Sequence, residues 1–271
     1  MAKADPLVSI ITPTFGRAQW LPLIHKCILS QDLTDLEWLV LDDSSEPSDF
    51  MRSLEGDRRV RYLHHPEKLT IGTKRNILID QARSKIVAQF DDDDYYADHY
   101  LSRMMSILEE EAADFVKLFG FFLFSKCHDM FAYWDMTAKH GLHFRLHSDK
   151  PIRSLVATEK ESPFARSMHL GFGFSYVFRK KVWASAQFAD ANWSEETPLI
   201  RNAVQHFRLV GIQDSACSCL HILHEANSSA CWPQYILPRF LLDTLFPNAS
   251  RQVENRGRAP KQRQLTGLSA E

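Results

Sequence analysis

The sequence predicts an α/β fold in which a mainly parallel sheet carries helices on both faces. Short apolar runs, typical of buried strands, alternate along the first 120 residues with segments of helical periodicity. Two of these runs end abruptly in aspartates, one at Asp42 and Asp43 and the other at residues 91–94. Continuous apolar strands need cover on both faces, and the carboxyl ends of such strands are where open α/β sheets bind ligands.

The first half contains five expected strands and three expected helices. Residues 8–11 form the first strand, which should stop at Pro13 because proline donates no hydrogen bond to a central strand. Apolar runs predict further strands at residues 38–41, 60–63, 86–90 and 115–124. Apolar residues at three- and four-residue steps predict helices at residues 20–28, 73–82 and 101–108. Asp98 is the expected N-cap of the third helix.

The second half is less regular. Residues 125–166 are rich in His, Lys and Arg and show weak periodicity, which predicts an irregular segment on the substrate side. Regular structure is expected to resume with a strand at 174–178, a helix at 195–207 and a strand at 219–223. Beyond about residue 240 a short apolar stretch gives way to a basic tail, where we expect little order.

Composition narrows the class of protein. The chain has 271 residues, of which 45% are hydrophobic, so it can bury a full core. Its 32 Lys and Arg against 34 Asp and Glu remove the electrostatic case for nucleic-acid binding. The longest apolar run, at 115–124, is too short to span a membrane. Without a basic and apolar leader, and with five cysteines in no framework spacing, we expect a cytoplasmic protein.

The aspartates at the strand ends predict a cation site. Four adjacent carboxylates after a buried strand repel one another unless a positive charge offsets them. Mg²⁺ or Mn²⁺ would do so, and such ions usually share their site with substrate phosphates. An acidic turn that caps the next helix is the alternative.

Three blocks of the sequence together resemble family 2 glycosyltransferases. They are residues 8–17 (VSIITPTFGR), 39–45 (LVLDDSS) and 91–96 (DDDDYY), and they occur in the family's order and approximate spacing. The resemblance is good over residues 6–110 and weaker afterwards. It implies the GT-A fold and transfer of a sugar from a nucleotide-diphospho-sugar, with inversion at the anomeric carbon. A UDP-sugar is the expected donor, although other bases use the same pocket.

The resemblance also implies a donor site. Pro13, Thr14 and Phe15 would line the base pocket, and Asp43, or alternatively Asp42, would accept a hydrogen bond from the base. Further donor-binding residues, the last three of them near the diphosphate, would be Arg17, Gly72, Lys74 and Arg75.

The acidic run would be the family's DxD element. Asp93 would bind Mn²⁺ or Mg²⁺ directly, Asp91 would contact the ribose of the donor or the metal shell, and Asp92 would contact the donor. His224, after the last strand, is a second expected metal ligand. A metal there would offset the charge that develops on the leaving diphosphate.

The catalytic base is expected in the second half. The family usually uses an Asp in an acidic pair that opens a helix, and here Glu196 occupies that place, with Glu195 remaining open. Asp190 is the reserve candidate. The family's acceptor-side loop would be Gly171, Phe172 and Gly173, where glycines let a sugar approach the backbone.

These expectations divide the chain into three parts. Residues 1–124 would form the donor-binding half of the domain, 125–240 its acceptor-binding and catalytic half, and 241–271 a C-terminal tail. The acceptor would be a saccharide or glycoconjugate. The apolar stretch from Phe240 to Phe246 with its basic tail would either contact a membrane peripherally or pack on the domain.

Two other functions compete with sugar transfer. A sugar-phosphate nucleotidyltransferase would also bind a nucleotide and Mg²⁺, but it would carry a glycine-rich basic loop after the first strand, where this chain has only Gly16. A transferase-like binding protein without turnover is the second alternative, and only the Glu in place of Asp at position 196 favours it.

Overall fold

The computed structural model of the protein describes residues 5–138, 140–158, 168–227 and 229–249. Its strands are β1 (Val8–Thr14), β2 (Leu36–Asp42), β3 (Val60–His64), β4 (Ile86–Gln89), β5 (Tyr95–Tyr96), β6 (Phe115–Ser125), β7 (Met130–Asp135), β8 (Gly141–Arg145), β9 (Arg153–Ala157), β10 (Val177–Arg179), β11 (Leu209–Gln213), β12 (Cys219–Leu223) and β13 (Tyr235–Leu237). Its α-helices are α1 (Leu21–Leu29), α2 (Asp49–Arg52), α3 (Ile71–Gln81), α4 (Tyr100–Glu110), α5 (Lys180–Ser185), α6 (Thr197–His206) and α7 (Phe240–Leu245).

One 11-stranded sheet contains every described strand except β8 and β9, which pair with each other as a hairpin. The main path of the sheet runs β13-β7-β6-β10-β4-β1-β2-β3. Strands β3, β2, β1 and β4 are parallel, as the alternation of strands and helices predicts. The long strand β6 joins the two halves of the chain, because β10 and β11 flank its first part and β7 and β12 its second.

The core lies on both faces of the sheet. Along β1, Ile10 packs in the cluster that includes α1 and α4, while the next residue, Ile11, packs in the cluster that includes α3, α5 and α6. This alternation follows from the two-residue repeat of a strand. The predicted α/β class, with helices on both faces, is confirmed.

Pro13 does not end β1, contrary to the sequence-based expectation. The strand continues to Thr14, with Pro13 paired to Leu41 of β2. On the other side, the Ile11 carbonyl accepts the Phe90 amide just past the end of β4. Pro13 follows Ile11 by two residues, so its backbone nitrogen is directed toward the same neighbour, β4. Strand β4 has already ended at that level. The missing N–H of Pro13 therefore breaks no bond of the ladder.

The middle of the chain is more regular than predicted. Within residues 125–158 the structure has β7, β8 and β9, while 159–166 lie outside the described residues. The basic residues masked the strand pattern, because β8 and β9 are exposed hairpin strands with no fully apolar run. The predicted strand at 174–178 is also partly wrong, since residues 173–175 form a 3-10 turn that precedes β10.

Three helix starts differ from the prediction. Helix α3 begins at Ile71, two residues earlier than expected, with Thr70 as its N-cap. The N-cap of α4 is His99, and no side chain caps that helix; Asp98 instead accepts the His99 amide. Helix α6 begins at Thr197, after Glu196 as N-cap, and not at residue 195.

The C-terminal apolar stretch forms α7 and packs on its own domain. Leu242 and Phe246 are buried in the larger core cluster, whereas Phe240 is exposed. These two side chains are therefore not available to a membrane. Most of the basic tail, residues 250–271, lies outside the described residues, so a membrane contact there stays a prediction. None of the described helices is long and apolar enough to cross a membrane.

Gly72, near the start of α3, tests this packing. A β-carbon on Gly72 would lie 1.8 Å from the Ala189 carbonyl oxygen, so Gly72→Ala must displace backbone. We expect a loss of about 1–3 kcal/mol in the free energy of unfolding, measured by urea denaturation. Gly56→Ala is the matched control, because nothing lies within 4 Å of its β-carbon position. Equal stability of the two variants would contradict the close approach.

Candidate active site

Polar residues from three strands meet at the carboxyl edge of the sheet. Strand β1 pairs with β2 on one side and β4 on the other, so Thr14, Asp42 and the loop that follows β4 come together there. The Thr14 hydroxyl donates to Asp92 over 2.6 Å, which ties β1 to the acidic loop. The structure thus gathers the predicted blocks at one edge.

Asp93 is the centre of this edge. Its Oδ2 lies 2.7 Å from Arg17 Nη1, 2.9 Å from His224 Nε2 and 3.4 Å from Asn227 Nδ2. Burial would raise the pKa of Asp93, but His224 and Arg17 together hold it below its ordinary value. The two partners therefore favour the ionised form of Asp93, which is the form in which a carboxylate binds a metal.

Arg17 bridges two aspartates. Its Nη1 lies 2.9 Å from Asp92 Oδ1 as well as 2.7 Å from Asp93. Burial and the negative charge of Asp93 raise the pKa of Asp92 to about 7. Sequence reasoning placed Arg17 beside the donor; in the described structure its cation neutralises the acidic loop.

Asp91 and Asp94 complete the acidic loop. Oxygens of Asp91, Asp93 and Asp94 all lie within 4.8 Å of one another, close enough to share one cation. Asp94, however, already accepts hydrogen bonds from His221 Nδ1 and from the Ile222 amide. Burial raises the pKa of Asp91 to about 6. Asp91 and Asp93 are therefore the carboxylates of this group that could share a divalent cation, with His224 beside Asp93, and oxygen ligands of this kind suit Mg²⁺ and Mn²⁺.

A buried arginine connects the acidic loop with the predicted base. Arg75 contacts Glu195 closely through Nη1 and lies 3.5 Å from Asp91 through Nη2. Glu195 is thus neutralised by Arg75. Glu196 forms no ion pair within the described part of the chain, and burial together with the charge of Glu195 raises its pKa. The reserve candidate Asp190 accepts hydrogen bonds from the side chains of Thr70 and Thr73.

Asp43 and Asp42, the carboxylates predicted to accept a hydrogen bond from the nucleobase, already have partners within the protein. Asp43 is buried; its Oδ1 accepts from Lys74 Nζ at 2.7 Å and its Oδ2 from the Leu69 amide at 2.7 Å. Asp42 accepts hydrogen bonds from Ser44 and Tyr62. Their predicted roles toward a nucleobase therefore depend on the acceptor capacity that these bonds leave.

The aromatic ring predicted to contact the base is accessible. Phe15 is 43% exposed, next to Pro13 and Thr14 at the end of β1. Lys68 Nζ lies 4.1 Å from the centre of the Phe15 ring. Exposure of a large aromatic ring at a ligand-binding edge agrees with the predicted stacking role.

The N-terminus of α3 is closed by another loop. The Ile71 amide donates to the Asn192 side chain, the Gly72 amide to the Ala191 carbonyl and the Thr73 amide to Thr70. These donors are therefore satisfied within the protein, and Gly72 serves close packing. A contact of Gly72 with a diphosphate stays a prediction.

Hydrogen bonds from buried side chains hold the carbonyls at the start of the predicted acceptor loop. Lys117, fully buried on β6, donates to the carbonyls of His169 and Gly171, and the Tyr176 hydroxyl donates to Leu170. Phe172 follows in the left-handed region at φ 63°. Its ring packs at 5.1 Å from the ring of Trp134, between centroids.

Gly173 lies where the acceptor loop meets the donor edge. A β-carbon there would come within 3.5 Å of Arg75 Nη2. The structure therefore brings the predicted acceptor loop beside the acidic loop and Glu195.

Sequence reasoning missed four residues of this edge. They are Trp20, whose ring stacks on His224 at 5.2 Å, together with Tyr96, His221 and Asn227. His221 carried a signal, since it is the one polar side chain in the otherwise apolar strand β12. The other three had no comparable signal, because each also contacts a residue more than 70 positions away in the chain.

The comparison with known protein families decides the class. The family described as "Glycosyl transferase family 2" matches residues 9–170, which is more than half of the chain. The chain belongs to glycosyl transferase family 2. The predicted membership of this enzyme family is confirmed.

Relatives of this family 2 member bear the names of glycosyltransferases. The chain is 35% identical over 204 residues to the GalNAc(5)-diNAcBac-PP-undecaprenol beta-1,3-glucosyltransferase of Campylobacter jejuni, covering 72% of this chain and 58% of that protein. It is 31% identical over 104 residues to the putative colanic acid biosynthesis glycosyl transferase WcaA of Escherichia coli, covering 37% of each chain. The chain thus spans less than two thirds of either relative.

Solved structures show the same fold. S. aureus TarS 1-349 in complex with UDP-GlcNAc matches with a TM-score of 0.58 at 15% identity, covering 81% of this family 2 chain and 59% of TarS 1-349. The TarS 1-349 complex with UDP gives a TM-score of 0.56 at 14% identity, with 80% and 60% covered. The predicted GT-A architecture is confirmed.

The Lys74–Asp43 pair offers a test of the donor edge. Both side chains are nearly inaccessible, at 7% and 0% exposure, so Lys74→Met would leave a buried carboxylate without its cation. We expect a loss of about 3–5 kcal/mol in the free energy of unfolding, measured by urea denaturation without ligand. The exposed Lys68→Met is the control, and Lys74→Met/Asp43→Asn should recover part of the loss. A small effect of Lys74→Met would contradict a buried pair.

Proposed function

We propose that this protein is an inverting, metal-dependent glycosyltransferase that moves a sugar from a UDP-sugar to an acceptor hydroxyl. The observation that carries the proposal is the acidic loop 91–94 at the carboxyl edge of the sheet. An ionised Asp93 lies there with Asp91 and His224 beside it. The TarS structures that share the fold are complexes with UDP and UDP-GlcNAc, which supports a UDP-sugar as the donor.

The donor would lie across the ends of β1, β2 and β4. Phe15 presents its exposed ring for the base. Asp93, Asp91 and His224 would hold Mn²⁺ or Mg²⁺, which supplies positive charge for the diphosphate that leaves. Arg17 lies beside Asp93 and provides a second cation at the same place.

Glu196 is the better of the two candidate bases. A base must remove the proton of the acceptor hydroxyl while the donor bond breaks, so it needs a carboxylate without a permanent cationic partner. Glu195 is occupied by Arg75, whereas Glu196 has no such ion pair among the described residues. The raised pKa of Glu196 moves its basicity toward neutral pH, which favours proton removal.

The acceptor would be a saccharide or glycoconjugate bound along residues 171–173. The loop lies beside the acidic edge, and its carbonyls are held by Lys117 and Tyr176. The C. jejuni relative is named for a substrate linked to undecaprenol through a diphosphate. We extend a lipid-linked glycan acceptor, and with it work at a membrane surface on the cytoplasmic side, to this chain as part of the proposal.

Neither competing function gains support. The turn after β1 has one glycine, Gly16, at φ 64°, and no series of glycine amides to cradle a triphosphate. A binding protein without turnover would not need the intact set of Asp91, Asp93 and Glu196.

Nucleotide binding tests the proposal. We expect calorimetry to show UDP binding that requires Mn²⁺ and that Asp93→Asn weakens at least about tenfold, or about 1.4 kcal/mol. Asp49→Asn is the matched control, because that side chain is 99% exposed on α2. No detectable binding of UDP, GDP or dTDP in the presence of Mn²⁺ would refute the proposed activity.

The pH dependence of transfer tests Glu196. A base works only when ionised, so kcat should fall as the pH drops through the pKa of Glu196. Because burial and Glu195 raise that pKa, the fall should begin above the ordinary range of a glutamate.

A substitution of Glu196 distinguishes a role as catalytic base from a role in donor binding. Glu196→Gln should abolish transfer and leave metal-dependent UDP binding intact, while the exposed Glu55→Gln should change neither. Unchanged transfer by Glu196→Gln would show that another group is the base.

A further inference from the structure

The hairpin β8–β9 stands outside the main sheet. Its strands pair with Leu142 opposite Val156 and His143 opposite Leu155. The hairpin is attached through β8, where the Phe144 amide donates to the Pro233 carbonyl and the Leu146 amide to the Cys231 carbonyl, each over 2.9 Å. Among the described strands, β9 pairs with β8 alone, so it is an edge strand of this hairpin.

Large apolar side chains are exposed on this hairpin. The exposed fractions are 48% for Leu142, 36% for Ile152, 44% for Leu155 and 61% for Val156. Because Leu142 and Val156 are directly opposite, they share one face of the hairpin, while Leu155 lies on the other face, so both faces expose apolar side chains. Exposed clusters of this kind, unlike single exposed residues, mark interaction surfaces.

The apolar surface continues onto the neighbouring segment. Residues 231–233 run beside β8, and just after them Tyr235 and Ile236 are 54% and 41% exposed. Tyrosine combines an apolar ring with a polar hydroxyl, which suits the boundary between lipid and water.

The charges around this surface identify its partner. Residues 140–158 contain Arg145, Lys150 and Arg153 against a single acid, Asp149, although the whole chain has a net charge of -2. None of the three cations forms an ion pair within the described residues. Two copies of this chain would oppose like charges here, whereas an anionic surface would be attracted. Exposed apolar side chains and cations without an acidic partner on the same hairpin fit a bilayer that contains anionic lipid.

The hairpin also lies beside the active site. Ser148 donates from its hydroxyl to the Asn227 carbonyl over 2.7 Å, and the Asn227 side chain in turn contacts Asp93 and the His224 amide. A membrane on the hairpin would therefore lie next to the residues proposed to hold the metal.

We propose that the hairpin of β8 and β9 docks on an anionic phospholipid surface. Leu142 and Val156 enter the headgroup region from one face of the hairpin, while Lys150 in the connecting loop and Arg153 on the other face bind lipid phosphates. Docking would present the active site to an acceptor carried in the membrane. The inference rests on the membrane-bound acceptor of the proposed function, but vesicle binding needs neither donor nor turnover, so each can fail without the other.

Vesicle co-sedimentation of the full chain tests the inference. The probes are vesicles of phosphatidylcholine alone and vesicles that also contain phosphatidylglycerol. We expect binding to the anionic vesicles and a reduction of at least about tenfold, or about 1.4 kcal/mol, in Leu142→Ser/Val156→Ser. A second variant, Lys150→Glu/Arg153→Glu, keeps the apolar surface and should also lose binding.

The control carries the same type of change elsewhere. Leu29→Ser/Val204→Ser alters apolar side chains that are 51% and 52% exposed on α1 and α6, and it should bind vesicles like the unchanged protein. Circular dichroism and UDP binding report whether each variant is folded, which separates a failed hairpin from a failed active site. Equal vesicle binding by all variants, or no binding of the unchanged chain, would overturn the inference. A hairpin variant that changed only the oligomeric state would overturn it in favour of a second copy as the partner.

Discussion

The neutralisation of the acidic loop is the interaction on which the rest of the site depends. Four consecutive aspartates follow β4, and three of them are almost completely buried. Such a group is stable only if cations and hydrogen-bond donors offset its charge. Here Arg17 pairs with Asp92 and Asp93, and His224 also contacts Asp93. His221 contacts Asp94, and Arg75 lies near Asp91.

These partners join distant parts of the chain. Arg17 belongs to the turn after β1 and Arg75 to α3, while both histidines come from β12 and its end, about 130 residues after the acidic loop. Arg75 also holds Glu195, so the same charges that stabilise the donor edge fix the start of α6. The fold of the second half of the chain and the charge balance of the acidic loop in the first half therefore depend on each other. A nucleotide diphosphate with its metal would enter a network that is already balanced, and Arg17, 29% exposed, is the cation with the most freedom to change partner.

The sequence was sufficient for the elements that follow simple periodicity. Strands β1 to β4, helices α1, α3 and α4, and the position of the acidic loop followed from apolar runs and three- or four-residue steps. The sequence was not sufficient where contacts between distant residues determine the structure. Pro13 is tolerated in β1 because β4 ends beside it. Strands β8 and β9 have no apolar run because both are exposed. The resemblance named Asp93, His224 and Glu196, but no local pattern could reveal that Asp43 is paired with Lys74 or that Glu195 is paired with Arg75.

In the proposed function, Asp93 and His224, which now contact each other, would hold the metal when a nucleotide diphosphate binds. A crystal structure with UDP and Mn²⁺, with the ion located by its anomalous scattering, tests this claim most directly. The account predicts Mn²⁺ on Asp93 and His224, in contact with the UDP phosphates, and Arg17 no longer bridging Asp92 and Asp93. An ion located elsewhere, or UDP bound while Arg17 still bridges both aspartates, would contradict it.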